Sequence, residues 1–240
     1  MVIVAFTSFQ KSWTGKSSLA VLSALLASER PVCILDCEGG SSRALQVSGH
    51  EGITEVLRGS VDLKDAVLEI EVRKGWRLSR KFGGRRLRAW ILPKGREEAP
   101  NKNLAGVALH AARVINNYAD VAIDLPPYRD GSFDSILSEI DSVAVIVNPD
   151  PLSVRAIVQY EGLGRILNGK ATIKPVLNKV RDPEHESYVE ELEQLGDPLI
   201  VPFDPAFAAF PRRITKVLAG LREETLEALR RLSGQLFSGS

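Results

Sequence analysis

Short apolar runs alternate with helical patterns along the chain. Val2–Phe6, Val32–Leu35, Val121–Leu125, Val143–Val147, Ile173–Leu177 and Leu199–Val201 are rich in β-branched residues. They do not alternate with polar residues, so they read as strands buried on both faces. Helical periodicity covers Ser17–Ala27, Ile53–Arg58, Leu63–Ile70, Leu104–Asn117, Leu152–Leu167 and Glu184–Leu195, and a long helix is expected over Thr215–Phe237. Asp150-Pro151, Asp182-Pro183 and Asp204-Pro205 each put an N-cap aspartate before a proline at the first helical position. The alternation predicts an α/β fold, a doubly wound and mostly parallel sheet with helices on both faces.

Composition adds limits. The 240 residues suit one large domain spanning 1–240, and 31 basic residues against 30 acidic ones name no partner by net charge. Cys33 and Cys37 are too few for a disulfide framework, and a buried structural role is expected for both. His50, His110 and His185 are scattered and receive no catalytic role. Val2–Phe6 is too short for a signal peptide, and no stretch approaches the ~20 apolar residues of a membrane span. A soluble, cytoplasmic protein is the expectation.

Gly15-Lys16-Ser17 follows the first predicted strand and opens the first predicted helix. Backbone N–H groups at a helix start point toward an anion, and the helix dipole favours negative charge there. Lys16 would reach the β- and γ-phosphates of a nucleotide, Ser17 would offer a hydroxyl to Mg²⁺, and Gly15 would allow close approach of the backbone. The usual glycine six residues before the lysine is replaced by Gln10.

The segment Phe9-Gln10-Lys11-Ser12-Trp13-Thr14-Gly15-Lys16-Ser17 resembles the deviant Walker A box of the ParA/MinD ATPases, roughly Asn-Gln-Lys-Gly-Gly-Val-Gly-Lys-Thr. Further landmarks follow in the family's order. Cys33-Ile34-Leu35-Asp36-Cys37-Glu38 resembles its second strand, and Ala122-Ile123-Asp124-Leu125-Pro126-Pro127 its Walker B strand and switch II. Val176-Leu177-Asn178-Lys179 resembles the strand end whose asparagine contacts adenine, and Ile200-Val201-Pro202-Phe203-Asp204 the loop flanking the base. The resemblance implies ATP and Mg²⁺ as ligands. Thr14, Gly15, Lys16, Ser17 and Ser18 would cradle phosphates, with Asn178 and Pro202 at the base. Ser17, Asp36 and Asp124 would serve the metal, directly or through water. Glu38 would orient the attacking water, standing where the family has an aspartate. Lys11 would reach across an ATP-dependent homodimer to the partner's nucleotide. Ser12 and Trp13 replace the family's paired glycines. A bulky residue at φ > 0 is strained by roughly 1–2 kcal/mol, so slow hydrolysis stimulated by an activating partner protein is expected.

The likeness is weakest between Val72 and Asn103. Between Arg73 and Lys102 stand eleven basic residues, opposed only by Glu97 and Glu98. Gly83-Gly84 suggests a β-hairpin within Trp76–Leu92, a basic hairpin-like insertion at about 73–102. Trp76, Phe82 and Trp90 interleave with its arginines, a combination that grips phosphates and stacks on bases. Arg77, Arg80, Lys81, Arg85, Arg86 and Arg88, with the second cluster Arg212, Arg213 and Lys216, are therefore candidates for nonspecific DNA or an anionic surface. A solvated edge that discourages sheet pairing is the plain alternative. MinD-type proteins end in an amphipathic membrane anchor. Here the stripe Leu218, Leu221, Leu229, Leu232 and Leu236 is assigned to covering the sheet. Three functions are weighed: an ATP-dependent dimerising switch that positions or partitions a cargo, a degenerate, hydrolysis-poor nucleotide-binding scaffold acting through its basic surface, and a metallochaperone-like ATPase. The cysteine layout disfavours the third.

Overall fold

The computed structural model describes residues 1–10, 14–27, 30–72, 76–96, 101–128, 133–158, 171–181, 187–210 and 214–237, without the side chains of 76, 101–103 and 156–158. Lys11, Ser12, Trp13, Asp182, Pro183, Arg212 and Arg213 lie outside the described residues, as does the Trp76 ring. In chain order the elements are β1 (Ile3–Thr7), α1 (Lys16–Leu26), β2 (Val32–Asp36), α2 (Gly40–Leu45), α3 (Ile53–Leu57), α4 (Leu63–Ala66), β3 (Leu68–Glu71), α5 (Trp76–Lys81), β4 (Arg88–Leu92) and α6 (Asn101–Ile115). There follow β5 (Asp120–Asp124), α7 (Asp134–Leu137), β6 (Ser142–Val147), α8 (Pro151–Val158), β7 (Thr172–Val180), α9 (Ser187–Glu193), β8 (Leu199–Pro202), a 3-10 turn (Pro205–Ala209), α10 (Ile214–Gly220) and α11 (Glu223–Phe237).

The eight strands form one sheet in the order β3-β4-β2-β5-β1-β6-β7-β8. Every neighbouring pair is parallel except β3 with β4. All six predicted strands are present, and β1, β2 and β5 are buried along their whole length. Alternate residues of a strand face opposite sides, so the sheet has two cores. Val4, Phe6 and Ile34 pack with Leu19, Leu22 and Leu25 of α1 and Leu226, Leu229 and Leu232 of α11. Ile3, Ala5, Leu35 and Ile123 pack with Leu104, Ala108, Ala111 and Ile115 of α6. Cys33 and Cys37 fall in this second core as free, buried thiols. Among the described residues no helix is long and apolar enough to cross a membrane.

Three local expectations are corrected. The helix expected over Leu63–Ile70 stops at Ala66 and continues as β3. Leu68 and Ile70 are half-buried and Glu69 and Glu71 exposed, the period-two pattern of an edge strand. The hairpin expected around Gly83-Gly84 is instead a helix, α5, followed by a turn into β4. Both glycines have positive φ, +56° and +77°, so they turn the chain, but the strand antiparallel to β4 is β3. The long C-terminal helix breaks after Gly220. There Asp204 Oδ2 accepts the Arg222 N–H at 2.7 Å, and Lys81 Nζ donates to the Leu221 carbonyl. The two predicted caps within the described residues are present. Asp150 accepts the Ser153 N–H at 2.9 Å before α8, and Asp204 accepts the Ala206 N–H at 2.8 Å, though the latter opens a 3-10 turn.

Candidate nucleotide site

The carboxyl ends of β1, β2, β5, β7 and β8 surround a cleft of about 470 Å³. Ligands of open α/β sheets bind at such strand ends. Ser8, Gln10, Thr14 and Gly15, between β1 and α1, line its floor, and both described stretches are tethered. Tyr128 N–H donates to the Ser8 carbonyl at 2.7 Å, and the rings of Phe9 and Tyr128 lie 5.7 Å apart. At the other end Asn178 Nδ2 donates to the Thr14 carbonyl at 2.6 Å. Gly15, at φ +85°, is the residue before α1. A Cβ there would stand 2.5 Å from Asn178 Nδ2, so both its conformation and its space require glycine.

Lys16 begins α1 and is 4% exposed. Its Nζ donates to Asp124 Oδ1 at 2.6 Å and to Glu38 Oε2 at 2.8 Å. Burial alone would lower the lysine pKa. The charges and hydrogen bonds of Asp124 and Glu38 outweigh it, and the net shift is upward. Asp124 ends β5, fully buried, and its other oxygen accepts from Ser41 Oγ at 2.8 Å. Ser17 meets the same point. A Cβ on Gly40 would lie 2.2 Å from Ser17 Oγ and 3.5 Å from Asp124 Oδ2. Gly40 thus lets a hydroxyl and a carboxylate converge. Those two donors fit Mg²⁺, which takes one or two protein oxygens and completes its shell with water and phosphate. Among the described residues no group of three or more His, Cys, Asp or Glu could hold a metal alone.

Asp36 is differently employed. Oδ1 accepts the N–H groups of Glu38 and Gly39 at 3.1 and 2.6 Å, and Oδ2 that of Ser42 at 2.6 Å. Its carboxylate staples the turn into α2. Burial first, and then the charge of Asp124, raise its pKa, while these hydrogen bonds act in the opposite direction.

Thr14, Gly15, Lys16, Ser17, Ser18, Glu38 and Asn178 all line the cleft. Pro202 does not, because β8 runs through it and the wall begins at Phe203. Asn178 Oδ1 is buried and has no hydrogen-bond partner among the described residues, which leaves one acceptor for a ligand at the base end. Sequence reasoning missed Gly40 and Ser41 beneath the phosphate loop, and Arg43, Lys179, Phe207 and Phe210 in the cleft wall. Lys179 carries a positive φ of 66°, unusual outside glycine. No local spacing marks these residues, although Gly39-Gly40 signals a tight turn.

The basic candidates lie away from the cleft, and several are already engaged. Arg85 donates to the Ala27 carbonyl at the end of α1, and Lys81 holds Leu221. Arg86 lies 3.8 Å from Glu71, while Arg88 lies 3.8 Å from Glu69 and 3.4 Å from Glu71. Arg77, Arg80 and Lys216 are exposed.

A positive-φ glycine ahead of a helix, a lysine and a hydroxyl at its first positions and a buried carboxylate on the adjoining strand define a P-loop fold of the MinD type. The MinD cell division protein of Aquifex aeolicus is similar over 100% of this chain and 98% of its own, at 21% identity and a TM-score of 0.73. MinD from Pyrococcus horikoshii, solved with Mg-ADP, is similar over 98% and 96%, at 18% identity and a TM-score of 0.70. A putative plasmid partition protein of Borrelia burgdorferi bound to AMPPNP is similar over 99% and 98%, at 17% identity and a TM-score of 0.71. At such identities the likeness is one of fold. No family model and no curated protein matches the sequence.

Proposed function

We propose that this chain is an ATP-dependent dimerising switch ATPase of the ParA/MinD type, positioning or partitioning a cargo on nonspecific DNA. The observation that carries this reading is the convergence of Lys16, Ser17 and Asp124 under a glycine-started helix at the carboxyl end of β1. Mg-ADP and AMPPNP in the similar structures support adenine nucleotide and Mg²⁺ as ligands. Thr14–Ser18 would hold the phosphates through backbone N–H groups, and Lys16 would exchange its carboxylates for phosphate oxygens. Ser17 and Asp124 would hold Mg²⁺, which would neutralise charge between the β- and γ-phosphates. Asn178 would offer its Oδ1 to the base. Phosphoryl transfer needs positioning and charge neutralisation more than covalent chemistry. Lys11 would add the partner subunit's charge on dimerisation.

One observation favours the hydrolysis-poor alternative. Glu38, the group expected to orient water, is tied to Lys16 at 2.8 Å. Hydrolysis would require that pair to part. Arg80 and Lys216 are the strongest candidates among the described residues for DNA contact, with Arg77 beside them on α5.

Sedimentation with and without ATP, and with and without duplex DNA, tests the reading. The expected result is ATP-dependent dimers that bind DNA less as salt rises from about 50 to about 200 mM. Tight ATP binding without dimers would remove the role of Lys11. DNA binding indifferent to salt would remove the electrostatic account.

A further inference from the structure

Beside the nucleotide cleft lies a second cavity of about 150 Å³, near the carboxyl ends of β2 and β4. Glu38, Gly39, Arg43, Ser48, Lys94 and Gly95 are among its walls. Glu38 and Arg43 also line the cleft, so these two side chains form a wall common to both spaces. Gly39 sits between the cations at φ +91°. A Cβ on it would stand 3.4 Å from Arg43 Nη1 and 3.6 Å from Lys94 Cδ. The absence of a side chain lets a guanidinium and an ammonium stem approach the same stretch of backbone.

The charges in this wall do not cancel. Two cations, Arg43 and Lys94, face one carboxylate, Glu38, which shares Lys16 with Asp124. Among the described residues neither the Arg43 guanidinium nor the Lys94 ammonium has a hydrogen-bond or ion-pair partner. The outer rim is built rather than loose, because Arg96 Nε donates to the Gly49 carbonyl at 2.6 Å and Arg96 N–H to Glu55 Oε1 at 3.0 Å. Ser48 and Gly49 are exposed, so the cavity opens to solvent on the side away from Glu38 and Arg43. Its volume is about a third of the cleft's, which suits a small anion and not a nucleoside. Paired cations with free donors favour a compact multivalent oxyanion.

We propose that this cavity binds inorganic phosphate and is the route by which it leaves. The inference rests on the proposed ATPase reading, in which Lys16 marks the end of the cleft that holds the terminal phosphate. Arg43, which faces both spaces, would hand the freed phosphate to Lys94. ADP would remain in the cleft while phosphate departs behind it.

The test uses the full chain with Mg²⁺ and ADP, titrated with inorganic phosphate and followed by phosphorus NMR. Nucleotide affinity is measured separately. Lys94→Gln and Ser48→Glu alter the cavity and not the cleft, and Ser48 is exposed, so its variant should fold. Each should weaken phosphate binding at least about tenfold, with ADP and ATP affinities within about twofold of wild type. Lys94→Arg should keep phosphate affinity. In a single turnover, both weakening variants should change phosphate release relative to ATP cleavage. Phosphate affinity unchanged in both variants, or absent in wild type that binds ADP, overturns the cavity as a phosphate site. Failure of wild type to bind either nucleotide sinks the ATPase reading itself, and with it the product role.

Discussion

Removing the Lys16 ammonium should damage the fold as well as the chemistry. Lys16 is 4% exposed, and Asp124 beneath it is wholly buried, with 2.6 Å between Nζ and Oδ1. Glu38 is a third exposed, so water can compensate it. Asp124 has no such recourse. Its second oxygen keeps Ser41, but the first would be left facing a low-dielectric interior. Breaking one side of a buried pair costs about 3–5 kcal/mol. In a domain of this size each kcal/mol moves the melting temperature by about 2–4 °C, so Lys16→Met should melt roughly 6–20 °C below wild type. Adding Asp124→Asn removes the orphaned charge and keeps an acceptor for Ser41. The double variant should recover most of the loss and still fail to bind ATP. Differential scanning calorimetry of the four proteins in the cycle, with ATP titration of each, separates the two effects. Lys16→Met as stable as wild type, or a double variant whose losses simply add, would refute the argument. The pH dependence has a definite sign. The raised lysine pKa means the pair stabilises fully below the ordinary lysine value of 10.5 and is lost as pH rises through the folded-state value.

Gly15→Ala should cost at least about 1–2 kcal/mol from its left-handed φ, plus the clash with Asn178. Urea denaturation should show the loss together with weaker nucleotide binding. Asp204→Ala removes the acceptor for both Ala206 and Arg222 N–H groups. It should cost about 1–2 kcal/mol and increase amide exchange at the start of α11. Burial pushes the Cys33 thiol up to about 12 and raises that of Cys37 further. Unfolded thiols ionise near pH 9, so stability should fall above that pH by up to about 1.4 kcal/mol per pH unit per cysteine. Cys33→Ala should flatten the slope, and a thiol reagent at pH 8 should label neither residue in the folded chain. Arg80→Glu should weaken duplex DNA binding more than Arg88→Glu does in filter-binding titrations, because Arg88 already faces two glutamates.

The central strands were legible because each is buried on both faces and so is apolar without interruption. The same logic concealed β3. It is an edge strand whose Leu68 and Ile70 alternate with Glu69 and Glu71, and in sequence it continues the periodicity of α4. At the site, Lys16, Ser17, Asp124 and Asn178 stand on elements whose ends were visible, but the family resemblance singled out Asp124 and Asn178, and it is the observed strand order that brings them beside the loop. Asp36 looked the same as Asp124, since both end buried strands. What separates them is the chain that follows. Asp36 precedes a Gly39-Gly40 turn whose N–H groups need an acceptor, whereas Asp124 precedes Leu125-Pro126-Pro127, with two residues that have no N–H to offer.

Surface charge was the least legible part, for a reason that applies beyond this chain. The run from Arg73 to Lys102 is basic as a sequence, but its charge is not all presented to solvent. Glu71 lies opposite Arg88 in the β3–β4 register, 17 residues away, and no local pattern announces that pairing. Lys81 and Arg85 are spent on the carbonyls at two helix ends, joining the basic segment to α10 and α1. Neutralising either should therefore loosen helix packing before it changes any long-range field. Among the described residues Arg77 and Arg80 of α5 are exposed beside Lys216 of the neighbouring α10, while the exposed Arg86 and Arg88 face Glu69 and Glu71. A surface carrying these cations would make few phosphate contacts per subunit. If the chain dimerises on DNA as proposed, the monomer should bind weakly and the dimer more tightly, because two linked weak sites bind far more tightly than one.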